Sequence, residues 1–460
     1  MTRPLPPWFD DAKFGIFVHW TAAAVPAFAP VGPSPFDIAE HEGWEAAFAR
    51  TPYVEWYLNS LSIEGSPVAE YHAEHHPDTP YDAFVAEFLA GHAGWDPAAW
   101  ARLFRAAGAK YVVLVTKHHD GVTLWPSEIP NPNKENWASP RDCVGDLAAA
   151  VRAEGMRFGT YYSGGLDWSF GGLPITDFGS MIGAIPQTDE YLAYADAHWR
   201  ELIDRYQPSV LWNDIGYPSN ADLGALHDYY LERVPDGVVN DRFKWAAPTD
   251  EVHSDFLTPE YSTVGPPDGR KWESTRGMGT SFGYNRMEDP ADYLSVDDLV
   301  RMVIDVTAHG GNVLLNVGPM GDGRIPWTQA ERLLALGAWL DTNSDAIYDT
   351  RPWTSAPADQ CGPTDGTTAD GRDVRFTWSP TDGSVFATVI GARPAGDTGN
   401  AVVTFEVPDH VGAAGANGTV VTRLGHGRPL VWERTDECLT VHLTDVPAGD
   451  PAFVLRIAPA

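Results

Sequence analysis

Between Phe14 and about Asn343 short apolar runs alternate with stretches of helical period, and few folds are open to such a chain. The runs are FGIFVHW, KYVVLVTKHHDG, MRFGTYYSGG, PSVLWND, GVVNDR and GNVLLNVGP. Between them lie DPAAWARLFRAAGA, VGDLAAAVRAEG, TDEYLAYADAHWRELIDRYQ, SVDDLVRMVIDVTAHG and TQAERLLALGAWLDTN. Strands that stay apolar along their whole length are buried on both faces, which parallel strands covered by helices achieve. Two helical stretches end at Gly108 and Gly155, a few residues before the next strand, as an αβ connection does. The expected fold is α/β, a (β/α)8-like barrel that is irregular or lacks a helix where Trp245 to Asn285 is rich in Gly and Pro.

After Thr350 the pattern changes. RDVRFTW, GSVFATVIG, NAVVTFEV, GTVVTRL, LVWER, LTVHL and AFVLRIA are short, β-branched and often alternating, with turn pairs at Asp382-Gly383 and Asn417-Gly418. This predicts a C-terminal all-β sandwich, with residues 1–347 as the catalytic barrel and 348–460 as the second domain. Asn417-Gly-Thr419 matches a glycosylation sequon and is read as a hairpin turn.

Charge and cysteine usage narrow the function. With 63 acidic and 31 basic residues the formal charge is −32, a field that repels nucleic acid and anionic membrane surfaces. Cys143, Cys361 and Cys438 lie too far apart for a paired-cysteine metal motif or a disulfide framework. The N-terminal MTRPLPPWFDDAKF holds no apolar core of a leader, and no run of about 18 apolar residues occurs anywhere. A cytoplasmic protein is expected, although removal of a leader would leave the same sequence, and a homo-oligomer is compatible with everything above.

In a parallel barrel, catalytic groups gather where the strands end. The runs here close on His19-Trp20, on His118-His119-Asp120, on a Gly-rich turn after Tyr161 and Tyr162, on Asn213-Asp214 and on Asp241-Arg242; Glu260 and Glu273 follow in DFLTPEY and RKWES. Each alone has a structural explanation, such as capping the next helix. Converging on one rim with several Trp, they would form a pocket for a neutral ligand with many hydroxyls.

His118, His119 and Asp120, with His19, are the best metal-binding set, but neighbouring strand residues point to opposite faces, so both rings reach one ion only if the strand breaks there. The alternative is hydrolysis by a carboxylate pair. Asp214 would be the nucleophile, with His19, Glu55, His118, His119, Tyr161 and Arg242 as donors and acceptors for sugar hydroxyls.

These residues stand in motifs that resemble the α-L-fucosidases of glycoside hydrolase family 29. They are WFDDAKFGIFVHW, EWY (Glu55 to Tyr57), KHHDGVTLW (Lys117 to Trp125), YYSGGLDW (Tyr161 to Trp168), LWND (Leu211 to Asp214), NDR (Asn240 to Arg242) and WESTRGMGTSFGYNR (Trp272 to Arg286), in family order and spacing. The resemblance implies a retaining exo-hydrolase of terminal α-L-fucose on fucosylated glycans or fucosides, with no metal or organic cofactor. It puts the nucleophile on Asp214 and the fucose-binding set on His19, Glu55, Trp56, His118, His119, Tyr161, Trp212 and Arg242, and it takes Tyr161 over Tyr162 on motif register. The acid/base is assigned to Glu260, with Glu273 as rival, because a loop glutamate can reach over the pocket while Trp272 beside Glu273 looks like wall.

One departure concerns the rim. Many relatives read Phe-Asp-Gly around the nucleophile, whereas this chain reads Asn213-Asp214-Ile215-Gly216-Tyr217. Phe28, Phe282 and Trp212 are candidates for contact with the C6 methyl of fucose, and residues 172–187 for the leaving-group side. Two rival readings are a carbohydrate-binding protein on a degenerate barrel and a metal-dependent hydrolase built on His118, His119 and Asp120.

Overall fold

The computed structural model describes residues 3–244, 252–391, 401–411, 419–435, 437–443 and 449–459. Seven parallel strands, β1 (Phe14–Val18), β2 (Tyr111–Lys117), β3 (Arg157–Tyr162), β4 (Val210–Asn213), β5 (Val238–Val239), β6 (Glu273–Gly277) and β7 (Asn312–Val317), form one curled sheet in the order β5-β4-β3-β2-β1-β7-β6. The gap between β5 and β6 is closed by residues 256–260, where Phe256 bridges Asn240, Leu257 bridges Trp272 and Glu260 bridges Thr275, all in parallel sense. That segment takes the eighth position of the barrel, and Glu260 stands at its end.

Both faces of the strands are apolar, as their sequences predict. Phe17, Tyr111, Val113, Tyr161, Val210, Trp212 and Leu314 fill the interior, while Phe14, Ile16, Val18, Val112 and Leu114 pack outward under the helices. The helix Pro7–Ala12 plugs the lower end, with Phe9 against Tyr111 and Phe256 at ring separations of 5.8 and 4.6 Å. Gly15 on β1 is required by this filling, because a Cβ there would lie 2.5 Å from the Tyr111 ring.

The predicted helices form at Pro97–Ala106, Cys143–Ala153, Asp189–Tyr206, Val296–Ala308 and Trp327–Asn343. Gly108 and Gly155 take left-handed φ values of 91° and 76° where the chain leaves the first two. No helix forms among the described residues from 252 to 294, in keeping with the composition of that stretch. The connection from β1 to β2 instead carries helices that the apolar pattern had not signalled, among them Pro35–Glu42, Trp44–Ala49, Pro67–His75 and Tyr81–Gly91.

Beyond the barrel, β8 (Arg351–Pro352), β9 (Asp365–Thr367), β10 (Asp373–Trp378), β11 (Val385–Ile390), β12 (Ala401–Glu406), β13 (Val420–Arg423), β14 (Val431–Thr435), β15 (Cys438–Leu443) and β16 (Ala452–Ala458) are antiparallel. One sheet runs β13-β16-β11-β10-β8 with β9 beside β10, the other β12-β15-β14. Their facing residues share a core in which Phe376 meets Phe405 at 5.8 Å, the sandwich expected from the alternating runs. The larger sheet packs on the helix Val296–Ala308, and Trp339 donates its indole N–H to the carbonyl of Ala452 at 2.9 Å. Asn417 and Gly418, of the sequon and its turn, lie outside the described residues.

Candidate active site

At the C-terminal mouth of the barrel a cavity of about 640 Å³ opens, and among the described residues its lining runs from Phe17 to Phe282, with none from the sandwich. Asp214 follows the last residue of β4 and shares the inward face of Val210 and Trp212. Three donors aim its carboxylate: the Tyr161 hydroxyl on Oδ2 at 2.8 Å, Arg242 Nη1 on Oδ1 at 2.9 Å and the Ile215 amide on Oδ1 at 3.0 Å. Tyr162, the next residue, faces the helices and meets His198 instead, which is the alternation a strand imposes.

Arg242 ties the two sides of the mouth together. Its Nη2 donates to Glu260 Oε1 at 2.8 Å and to the Thr258 carbonyl at 2.9 Å, its Nε donates to Thr258 Oγ1 at 2.9 Å, and its guanidinium lies 4.7 Å over the Trp212 ring. Burial works against this charge, and the Glu260 and Asp214 carboxylates outweigh it, so the guanidinium is held above its ordinary range. One rigid fork thereby fixes both carboxylates on the same pocket.

The adjacent histidines both reach the cavity because β2 ends at Lys117, with a register shift between Val115 and Lys117 against β3. Lys117 turns outward into a buried ion pair with Asp167 at 2.8 Å, and the two imidazoles beyond it lie with ring centroids 4.0 Å apart. Burial holds His19 neutral down to about 4 and His119 down to about 3, and it also lowers His118 well below its ordinary value. The 3.9 Å approach of His119 Nε2 to Asp214 Oδ2 is therefore a contact of a neutral ring.

Two tautomers follow from the partners. Ser163 gives its hydroxyl proton to the Leu166 carbonyl and so accepts from His119 Nδ1 at 2.6 Å. Asn316 gives its amide N–H to the Phe282 carbonyl and so accepts from His19 Nδ1 at 2.6 Å. Both rings then carry a bare Nε2, an acceptor for a ligand hydroxyl.

Glu55, in the short 3-10 turn Val54–Trp56, accepts the Gly283 amide at 2.8 Å. Burial pushes its carboxyl up to about 7 against that hydrogen bond, and the Glu260 carboxylate adds to the rise. Below that pH it can donate as well as accept. Trp56 packs its edge on His119, and Phe282 packs on His19 with ring centroids 5.0 Å apart.

Other sequence candidates lie elsewhere. Glu273 is buried on β6, held by the Tyr111 hydroxyl and by Trp212 Nε1 at 3.2 Å, at the N–H edge of the Trp212 ring and off the cavity wall. Asp120, expected to join a metal site in one rival reading, turns to the Tyr81 hydroxyl at 2.9 Å and the Val122 amide at 3.1 Å. That reading is corrected on geometry, since no group of three or more His, Cys, Asp or Glu that could hold a metal exists among the described residues. Phe28 is also corrected: it stacks on Tyr71 at 3.8 Å and does not line the cavity, whereas Phe282 and Trp212 do.

Ser163, Thr258 and Asn316, which orient the groups above, were missed by sequence reasoning. Asn316 carried a readable signal, a polar residue one position before the end of an otherwise apolar run.

The α-L-fucosidase family profile matches residues 1–345. An α-L-fucosidase of Branchiostoma floridae is 32% identical over 440 residues, covering 94% of this chain and 86% of the relative. The plasma α-L-fucosidase of Rattus norvegicus is 34% identical over 448 residues, covering 94% and 85%. Among solved structures, the Thermotoga maritima α-fucosidase in complex with fucose superposes with a TM-score of 0.81 at 40% identity, over 99% of this chain and 97% of that one.

Proposed function

The chain belongs to the α-L-fucosidase family, a retaining exo-acting glycoside hydrolase of terminal α-L-fucose, and from that premise we propose that Asp214 is its nucleophile and Glu260 its acid/base. The observation that carries this reading is the Arg242 fork, which holds these two carboxylates on one cavity. A retaining pair works at a separation of about 5–5.5 Å, and two groups gripped by one guanidinium are suited to it. Glu273, fixed behind Trp212, lacks access to a leaving oxygen.

Asp214 attacks the anomeric carbon, the bond to the leaving oxygen breaks, and Glu260 gives that oxygen its proton. Water then loses a proton to Glu260 and displaces Asp214 from the same carbon, so two inversions give net retention. Once Asp214 is esterified, Arg242 keeps Glu260 as its remaining carboxylate partner. His19, His118, His119, Glu55 and Tyr161 would meet the sugar hydroxyls, with Phe282 and Trp212 against the C6 methyl.

Azide rescue tests both roles. Asp214→Ala should lose several orders of magnitude in turnover and yield β-L-fucosyl azide, because azide attacks directly. Glu260→Ala should yield α-L-fucosyl azide from an activated fucoside. Rescue with retained configuration at Glu273→Ala, and none at Glu260→Ala, would reassign the acid/base.

A further inference from the structure

One side of the same cavity lies outside the residues assigned above to the fucose hydroxyls and methyl group. Phe36, Trp44 and Phe48, from the helices Pro35–Glu42 and Trp44–Ala49, face Phe178 and Met181 of the helix Phe178–Gly183, with Ile215 at the floor beside Asp214. Trp44 meets Phe178 at 4.2 Å and Phe36 at 6.0 Å, each edge to face. Phe36 is 50% exposed and Phe178 38%, so this aromatic wall faces open space in the mouth.

We propose that this wall is the leaving-group subsite, and that it selects uncharged aglycones presenting an apolar face to it. The inference rests on the fucosidase reading and adds the substrate class to it. Continuity is the first ground, since the wall and Asp214 line one cavity and the Ile215 amide itself donates to Asp214 Oδ1.

Backbone conformation is the second. Ile215 stands at φ 51°, a left-handed conformation that β-branched side chains rarely take, with its side chain packed among Phe48, Trp56 and Met181. Such a conformation persists at a functional site when the surroundings hold it there. Two of the three helices are also fixed by capping boxes, Ser34 with Asp37 and Asp177 with Ser180, so the wall is built rather than collapsed.

Charge is the third ground. Among the described cavity residues Arg242 is the one cation, and it is committed to Asp214 and Glu260, while Asp241, Glu55 and Glu260 add acid. An anionic aglycone would find no counter-charge. The apolar face could belong to an aryl group or to the carbon-bound hydrogens of a pyranose, which meet aromatic rings in the same way.

The test compares the unaltered protein with Trp44→Ala/Phe178→Ala on α-L-fucosyl fluoride, an aryl α-L-fucoside and a fucosyl disaccharide. The expected result is a fall in kcat/KM of about tenfold or more on one or both of the larger substrates, with the fluoride within about twofold. Loss on the aryl fucoside alone identifies an aryl face, and loss on the disaccharide identifies a pyranose face. Equal losses on all three, or no loss on any, overturn the proposal. Phe178→Leu, which keeps the fold's apolar volume, gives the same contrast if the double variant does not fold. Inactivity of the unaltered protein on all three substrates would overturn the fucosidase reading instead.

Discussion

The Tyr161 hydroxyl lies 2.8 Å from Oδ2 of Asp214, and it can only be a donor there. Burial, reinforced by the Asp214 carboxylate, raises its pKa well above the ordinary tyrosine value, so the phenol stays protonated at any working pH. The donor orients the nucleophile and then stabilises the carboxylate as it departs from the sugar.

Tyr161→Phe should therefore slow release of the fucosyl-enzyme more than its formation, lowering kcat by about 10²-fold, the cost typical of one lost oxyanion donor. Stopped-flow assay of an aryl fucoside should show a burst of released phenol that the unaltered protein lacks. A kcat within twofold of the original would show that the hydrogen bond is idle.

Arg242→Lys keeps the charge and loses the fork. A single ammonium cannot hold Asp214 and Glu260 at once while bonding Thr258, so both carboxylates lose their fixed positions. The expected result is a fall in kcat/KM of about 10³-fold. A kcat/KM within about threefold of the original would contradict the two-sided grip as the basis of their placement.

The site was legible where polar residues interrupt apolar strands, as at His19, His118, His119, Asp214 and Arg242, and the barrel was legible where strands stay apolar on both faces. The strand β6 was not, because its inward positions are Glu273 and Thr275, and the burial of Glu273 is made tolerable by Tyr111 and Trp212 from distant strands. Residues 256–260 escaped for a related reason: Pro259 interrupts them, and Thr258 and Glu260 serve Arg242 rather than a core. The helices between β1 and β2 are short and of mixed polarity, yet Ser34-Pro35 and Ser66-Pro67 mark two of their starts, each Ser capping and each Pro opening a helix.

Ser163 tests the tautomer argument. In Ser163→Ala the Nδ1 of His119 loses its acceptor, so Nε2 is no longer reserved as a bare lone pair. We expect KM for an aryl fucoside to rise about tenfold, roughly one hydrogen bond's worth, with thermal stability little changed. Ser163→Thr should restore most of the loss. Identical kinetics in Ser163→Ala would mean that the protein ring is oriented by packing against Trp56 and Trp168 alone.

Glu273 gives a stability prediction independent of catalysis. Burial pushes its carboxyl up to about 7 from an ordinary 4.5, against the hydrogen bonds from Tyr111 and Trp212 and the charges of Lys271 and Arg242. Between those two pH values the folded chain keeps a proton on Glu273 that the unfolded chain has released, so folding takes up a proton. This contribution is fully present below pH 4.5 and is lost as the pH rises through 7. Glu273→Gln removes the titration while keeping a side chain of the same shape. Denaturant unfolding at a series of pH values should show the variant gaining on the original by about 3 kcal/mol from pH 4.5 to pH 7.5. A difference that stays constant over that interval would mean that Glu273 is already ionised in the folded barrel, with Tyr111 and Trp212 donating to a carboxylate.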